Sequence, residues 1–221
     1  MTKILLTAFE PYDRWSENSS WLTLIELTKW LDTPSTVVTR RYPVDLQGAS
    51  DRLQKDLREG FDYAIHLGQS PGSPLVKLES TGLNLRTDHQ PLVPGGPAAY
   101  RSPLELLRLH DRLVGEGIPA QVSNHAGVYL CNAVLYLSQY YSERMGIPTR
   151  SMFIHLPLAP HQVARSGEGL ASCDIGMMAR AVFEGIRWVE SLPSAAGVAP
   201  SQRATPGSGR IAAAAGPVEH A

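Results

Sequence analysis

The chain has 221 residues, 43% hydrophobic and 19% charged, with a formal net charge of −1. That is globular composition, enough for one sizeable core, and without a basic stripe it gives no footing for a nucleic-acid surface or an anionic-membrane anchor. No apolar run is long enough to span a bilayer, no signal-peptide cleavage pattern opens the chain, and two cysteines, Cys131 and Cys173, make neither a disulfide framework nor a CxxC pair, so a reducing, cytoplasmic setting is expected.

The first apolar run, KILLTAF, predicts a strand over Lys3–Phe9, closed by the loop residues EPYD. Helical spacing follows over 19–31, with Ser19 or Ser20 as the expected N-cap. Residues 35–44 are rich in β-branched side chains and predict a strand; 45–60 predict a helix closed by Gly60. FDYAIHLGQS (61–70) is a buried strand ending in a loop, and PLVKLESTGLNL (74–85) alternates as a strand does. Residues 86–102 carry prolines and glycines without periodicity and predict a long loop of the kind that is usually functional. The next helix is expected to start with Ser102 as N-cap, Pro103 at the first helical position and Glu105 at the capping-box position. A short strand over 119–124, a helix from about Ala126 or Gly127 to Met145, a buried strand over 150–158 and a last helix within 172–192 complete the pattern.

Strands alternating with helices imply a mostly parallel, mixed sheet covered on both faces, a three-layer α/β/α sandwich. One domain is expected over 1–192. Residues 193–221 are Ala, Gly, Pro, Ser and Thr with almost no large apolar side chain, and predict a disordered low-complexity tail. In such sheets reactive groups gather at the carboxyl ends of strands.

Cys131 is the first candidate. A free cysteine defaults to core packing, but this one lies in the first turns of a helix, where free amides and the positive dipole end favour a thiolate and can hold an oxyanion. The small residues of NHAG ahead of it leave room for a substrate. His155, in MFIHLPL, could be merely a hydrogen-bonded strand residue; at the strand's end it could also take the thiol proton and return it to a leaving amine. A carboxylate would fix the imidazole tautomer. Glu79 is a candidate despite an alternating strand that would place it on the wet face; Asp45, Asp62 and Asp88 stay open by the same reasoning. Phe9, Tyr12 and Trp15 could be packing or the wall of a flat apolar pocket. The dispersed histidines form no HExxH, HxH or Cys/His cluster, so no metal is called for, and the loops GQSPGS and PGGP match no nucleotide motif, so no cofactor is either.

LLTAFEPY with ENSSW, LGQSPG with LESTGLN, VPGGPAAYRSPL, GIPAQVSNHAGVYLCNAVLY and FIHLPLAPHQ occur in one order and spacing from Lys3 to about Leu192. In these stretches the chain resembles the pyroglutamyl-peptidase I family of cysteine peptidases, with SNHAGVYLCN and FIHLP the most specific. The resemblance implies a cysteine exopeptidase that removes an N-terminal pyroglutamyl (5-oxoprolyl) residue through a thioester acyl-enzyme. It implies Cys131 as nucleophile, His155 as general base and Glu79 as acidic partner. It implies that Phe9 and Tyr12 flank the lactam ring, that backbone around Gly68–Gln69 hydrogen-bonds it, and that Asn18, Gln69 and His89 belong to the substrate side. It implies peptides with N-terminal pyroglutamate as partners and a fold often assembled as a homotetramer.

Four residues depart from the family pattern. Asp13-Arg14 stands where Gly-Gly is usual, Ala8 replaces the glycine ahead of FEP, and His89 takes the place of an arginine that Arg86 could stand in for. The departures motivate an alternative, a catalytically weak or inactive relative that binds pyroglutamyl ends or another partner. A nucleoside phosphorylase on a related sandwich is a further rival, but lacks its phosphate cradle of arginines and glycines here. The last is an inert core thiol at Cys131.

Overall fold

The computed structural model describes residues 1–29, 31, 32 and 35–193. The low-complexity stretch expected to form a tail lies, but for Pro193, outside the described residues. Among the described residues eight strands and six helices follow in order: β1 Lys3–Phe9, α1 Ser19–Thr28, β2 Thr36–Tyr42, α2 Leu46–Leu57, β3 Tyr63–Gln69, β4 Val76–Glu79, β5 Thr81–Leu83, β6 Ala99–Arg101, α3 Leu106–Gly115, β7 Ala120–Ser123, α4 Leu130–Met145, β8 Arg150–Leu156, α5 Pro160–Ser166 and α6 Ile175–Glu190.

The main sheet has the order β2-β1-β3-β8-β4-β7. Strands β1, β2, β3 and β8 run parallel; β4 is antiparallel to β8 and parallel to β7. The sheet separates two apolar cores, as a three-layer sandwich requires. On one face Ile4, Leu6, Ile65, Ile154 and Leu156 pack with α1, α3 and α6; on the other Leu5, Ala64 and Phe153 pack with α2 and α4. The β3 and β8 strands are buried throughout but for Arg150, so they read as continuous apolar runs rather than alternating ones.

Several expected boundaries move, each for a local reason. The N-cap of α1 is Asn18, whose Oδ1 accepts from the Ser20 amide at 3.0 Å, rather than Ser19 or Ser20. Ser102 does not cap α3: its hydroxyl donates to the Ser151 carbonyl at 2.8 Å, tying the loop to β8, and the helix starts four residues later. The strand expected over 74–85 breaks at Ser80 into β4, in the main sheet, and β5, which pairs antiparallel with β6 from inside the expected long loop. Helix α4 begins at Leu130, three or four residues later than expected. Helix α5 has no counterpart in the sequence pattern; at seven residues it is too short to show a period.

Two contacts seat α4 on this framework. Buried His66 of β3 bridges the Thr7 hydroxyl (2.8 Å) and Ser138 of α4 (3.0 Å), and burial pushes its pKa down to about 3, so it sits there neutral. Asn132 accepts from the Leu83 amide at 2.7 Å and donates to the Leu83 and Leu85 carbonyls, stapling β5 to the first turn of α4. The approach is close enough that a Cβ on Gly82 would lie 2.6 Å from the Tyr136 amide nitrogen, a backbone atom that cannot swing away. Gly82→Ala is therefore expected to lower unfolding free energy by about 1–3 kcal/mol, the usual cost of forced overpacking, as measured by urea denaturation; an unchanged midpoint would show that β5 can lift off α4 freely.

Candidate active site

The carboxyl ends of β1, β3 and β8 and the start of α4 meet at one cleft. Its walls are Phe9, Tyr12, Asn18, Val44, Gln69, the segment Ala126–Leu130 and Cys131, around about 170 Å³. No side chain in that lining carries a formal charge when the thiol is neutral.

Cys131 is the second residue of α4, after an N-cap residue, Tyr129, whose side chain makes no capping hydrogen bond. The first-turn amides of Leu130 and Cys131 thus have neither an intrahelical acceptor nor a side-chain cap. They point at the space before the helix, as an anion site requires. The sulfur rests over Gly68. A Cβ there would lie 3.0 Å from Cys131 Sγ and 2.6 Å from the Phe153 ring, so only glycine lets β3 pass beneath the thiol.

His155 is the register partner of that same Gly68, across the β3–β8 pair. Its Nδ1 is 2.8 Å from Glu79 Oε1, which leaves Nε2 for the sulfur of Cys131, near enough to act on the ring electrostatically. Glu79 gets there through the antiparallel turn of β4. The strand's last residue lies opposite Phe153, two residues back from His155 on the same face. Glu79 is 1% exposed, against the wet-face expectation from alternation, and its Oε2 makes no hydrogen bond. The other carboxylates left open have different partners: Asp45 caps α2 through the Gly48 amide, Asp62 accepts from the Lys3 amide, and Asp88 pairs with Arg86.

Burial acts most strongly on the His155 imidazole and pushes its pKa down; the negative sulfur of Cys131 and then Glu79 more than offset it, raising the pKa to about 9. Burial likewise pushes the Tyr12 phenol up to about 12, so it stays a neutral donor beside Gln69 and Cys131.

Phe9 is nearly buried at the end of β1 and stacks on Phe153, while Tyr12 is half-buried over the cleft. Trp15 is buried away from the cleft lining, beneath the Arg14 guanidinium. Asp13 holds φ at +52°, the left-handed conformation in which glycine is at ease, and the next residue, Arg14, anchors the turn by a bidentate pair with Glu168. A strained aspartate and an external clamp thus shape this turn. His89 sits in an exposed turn with φ +62° and does not line the cleft; Arg86 and Thr87 line a neighbouring hollow that shares Val128, Tyr129 and Leu130 with it. Val44 and the Ala126–Tyr129 wall escape sequence reasoning; NHAG marks room, but no period marks a wall made by an irregular segment. Among the described residues no group of three or more His, Cys, Asp or Glu side chains could hold a metal, and no helix is long and apolar enough to cross a membrane.

Known proteins match this chain in sequence and in fold. The family model described as pyroglutamyl peptidase matches residues 2–190. A pyrrolidone-carboxylate peptidase of Pyrococcus furiosus is 36% identical over 173 residues, 73% of this chain and 83% of the relative. Another, from Clavibacter michiganensis, is 34% identical over 175 residues, 73% of this chain and 81% of the relative. The crystal structure of pyrrolidone carboxyl peptidase from Fervidobacterium islandicum AW-1 superposes with a TM-score of 0.81 at 31% identity, covering 86% of this chain and 99% of that one.

The raised pKa means that His155 keeps its proton below about pH 9 and loses it above. Glu79→Gln removes a charge that favours the imidazolium, so the imidazole should titrate about one unit or more lower. Nitrogen-15 NMR of the ring across pH measures this; an unmoved titration would show that Glu79 does not act on the imidazole.

Proposed function

The chain belongs to the pyroglutamyl peptidase family, and from that premise we propose how its residues remove an N-terminal pyroglutamate. Cys131 is the nucleophile, His155 the proton carrier and Glu79 the carboxylate that orients the ring. The observation that carries the reading is the chain of contacts Glu79–His155–Cys131 at the mouth of an uncharged cleft.

The thiolate attacks the carbonyl that joins pyroglutamate to the next residue. The carbonyl electrons move to oxygen, where the Leu130 and Cys131 amides are free to receive them; such donors contribute about 2.7–4 kcal/mol each to acyl transfer. As the tetrahedral species collapses, the C–N bond breaks and the imidazolium gives its proton to the departing amine. Water then enters, loses a proton to neutral His155 and attacks the thioester; pyroglutamate leaves and the sulfur regains its starting state.

Selectivity has a plain electrostatic basis. An ordinary amino-terminal residue carries an ammonium, which an enzyme meets with a carboxylate. Pyroglutamate has closed that amine into a neutral lactam. The cleft lining offers aromatic and amide surface and no carboxylate, so an ammonium would lose its hydration without a partner. Phe9, Tyr12 and Tyr129 suit a flat ring, and Asn18 and Gln69 are the amide side chains beside it; His89 contributes from outside the cleft only if its loop moves inward. A catalytically weak relative is not favoured, because the Asp13 and Arg14 replacements leave Tyr12 anchored over the cleft.

Residues 1–192 act as one peptidase unit in this reading. The free thiols of Cys131 and Cys173 suit a reducing cytoplasm, and the family likeness supports assembly as a homotetramer. Release of the chromophore from a pyroglutamyl amide, assayed with dithiothreitol, is the test. We expect hydrolysis by the intact chain, a fall of at least about 10³-fold in Cys131→Ser, and about 10²–10⁴-fold in His155→Ala. No release from well-folded protein would overturn the reading.

A further inference from the structure

Gln69 lines the cleft on β3, yet the orientation of its amide is set from outside. The anchor is Gln162 of α5, which is 4% exposed and does not line the cleft. Gln162 Oε1 accepts from the Ala159 amide at 2.8 Å, which fixes its own end-for-end orientation. Its Nε2 must then point the other way, where it donates to the Glu17 carbonyl and to Gln69 Oε1, both at 2.9 Å. Gln69 Oε1 accepts a second hydrogen bond, from the Ser19 amide at 2.7 Å. Turning Gln69 over would set its NH₂ against two donors. Its Nε2 is therefore turned toward the Tyr12 phenol, which it meets electrostatically, and that atom is buried without a well-formed hydrogen bond.

A buried donor left unpaired is costly to maintain, and it discriminates strongly in favour of a ligand that supplies the missing acceptor. The relay Ala159–Gln162–Gln69, with the Ser19 amide, keeps it so disposed. We infer that Gln162 is a specificity-determining positioning residue: through Gln69 Oε1 it holds Gln69 Nε2 ready to receive the ring carbonyl of a lactam. The inference rests on the function proposed above and adds to it a residue that need not touch substrate. It also gives the PHQ segment, Pro160–Gln162, a purpose. His161 pairs with Glu17 on the outside while Gln162 grips the carbonyl of the same Glu17 within, so α5 is secured from both sides of that residue.

The variant that tests it is Gln162→Glu. The introduced carboxylate can still accept from Ala159, but it presents an acceptor to Gln69 Oε1. A charged acceptor outweighs the single neutral bond from Ser19. Gln69 should therefore turn over, giving its NH₂ to the introduced carboxylate and its carbonyl to the cleft.

The read-out is protection of Cys131 from iodoacetamide by 2-pyrrolidone, the bare lactam ring, which needs no turnover. With Gln162→Glu, half-protection should need at least about tenfold more 2-pyrrolidone, while alkylation without the lactam keeps its rate, because the Cys131–His155 pair is untouched. KM for a pyroglutamyl amide should rise by a similar factor. A merely structural residue would lower the melting temperature and leave half-protection where it was; unchanged half-protection, or no protection of the unsubstituted chain at all, overturns the inference. Should Gln162→Glu not fold, Gln69→Glu removes the same donor and must show the same loss, with unchanged protection again the overturning result. Weakened protection in a chain that releases no chromophore would leave this inference standing and bring down the peptidase reading alone.

Discussion

The imidazole of His155 is held from two sides, by a carboxylate that ends a short strand and by a sulfur that starts a helix. Burial works against a charged ring, and only partners within hydrogen-bonding reach reverse it. That is why the rest of the architecture matters to the chemistry. Strand β4 has to run against β8 for Glu79 to finish diagonally behind the ring. Strand β3 has to carry glycine at 68 so that the sulfur can settle above it. Helix α4 has to begin one residue before Cys131, so that its uncapped amides and its thiol open into the same space.

The cleft beside this pair is built from a different material. Its lining is aromatic and amide, and its polar atoms are largely committed to the protein: Asn18 caps α1 and grips the Glu10 carbonyl, and Gln69 is clamped through its oxygen. Such pre-set groups do not reorganise when a neutral ring enters, which is how a small site gains discrimination without charge. The Tyr12 turn is likewise pre-set, by a left-handed aspartate and an arginine clamp where the sequence resemblance leads one to expect glycines.

Much of this is legible in the sequence. The alternation of apolar runs with helical periods implies the layers, and HAGVYLCN and FIHLP point to the thiol and the imidazole. Glu79 is not decidable from the residues alone, because alternation puts it on the wet face and Asp45, Asp62 and Asp88 are equally acceptable carboxylates. What decides is the antiparallel register of β4, a long-range pairing that leaves no local trace. The start of α4 falls later than its spacing suggests, because the glycine and small residues before it look helical but serve as cleft wall. Asn132 and Gln162 are invisible as tethers, since a glutamine or asparagine on a helix gives no hint of what its amide will meet. The 74–85 segment reads as one strand, and only the close passage of Gly82 under α4 shows why it divides between two sheets.

The account stands on mutual stabilisation of the sulfur and the imidazole. Its most direct test is the nitrogen-15 titration of His155 in the intact chain and in Cys131→Ala. If the two groups are coupled as described, the imidazole titrates near pH 9 in the intact chain and distinctly lower once the sulfur is gone. The same titration point in both proteins would mean that the thiol and the ring do not sense each other, and the proposed chemistry would have no foundation.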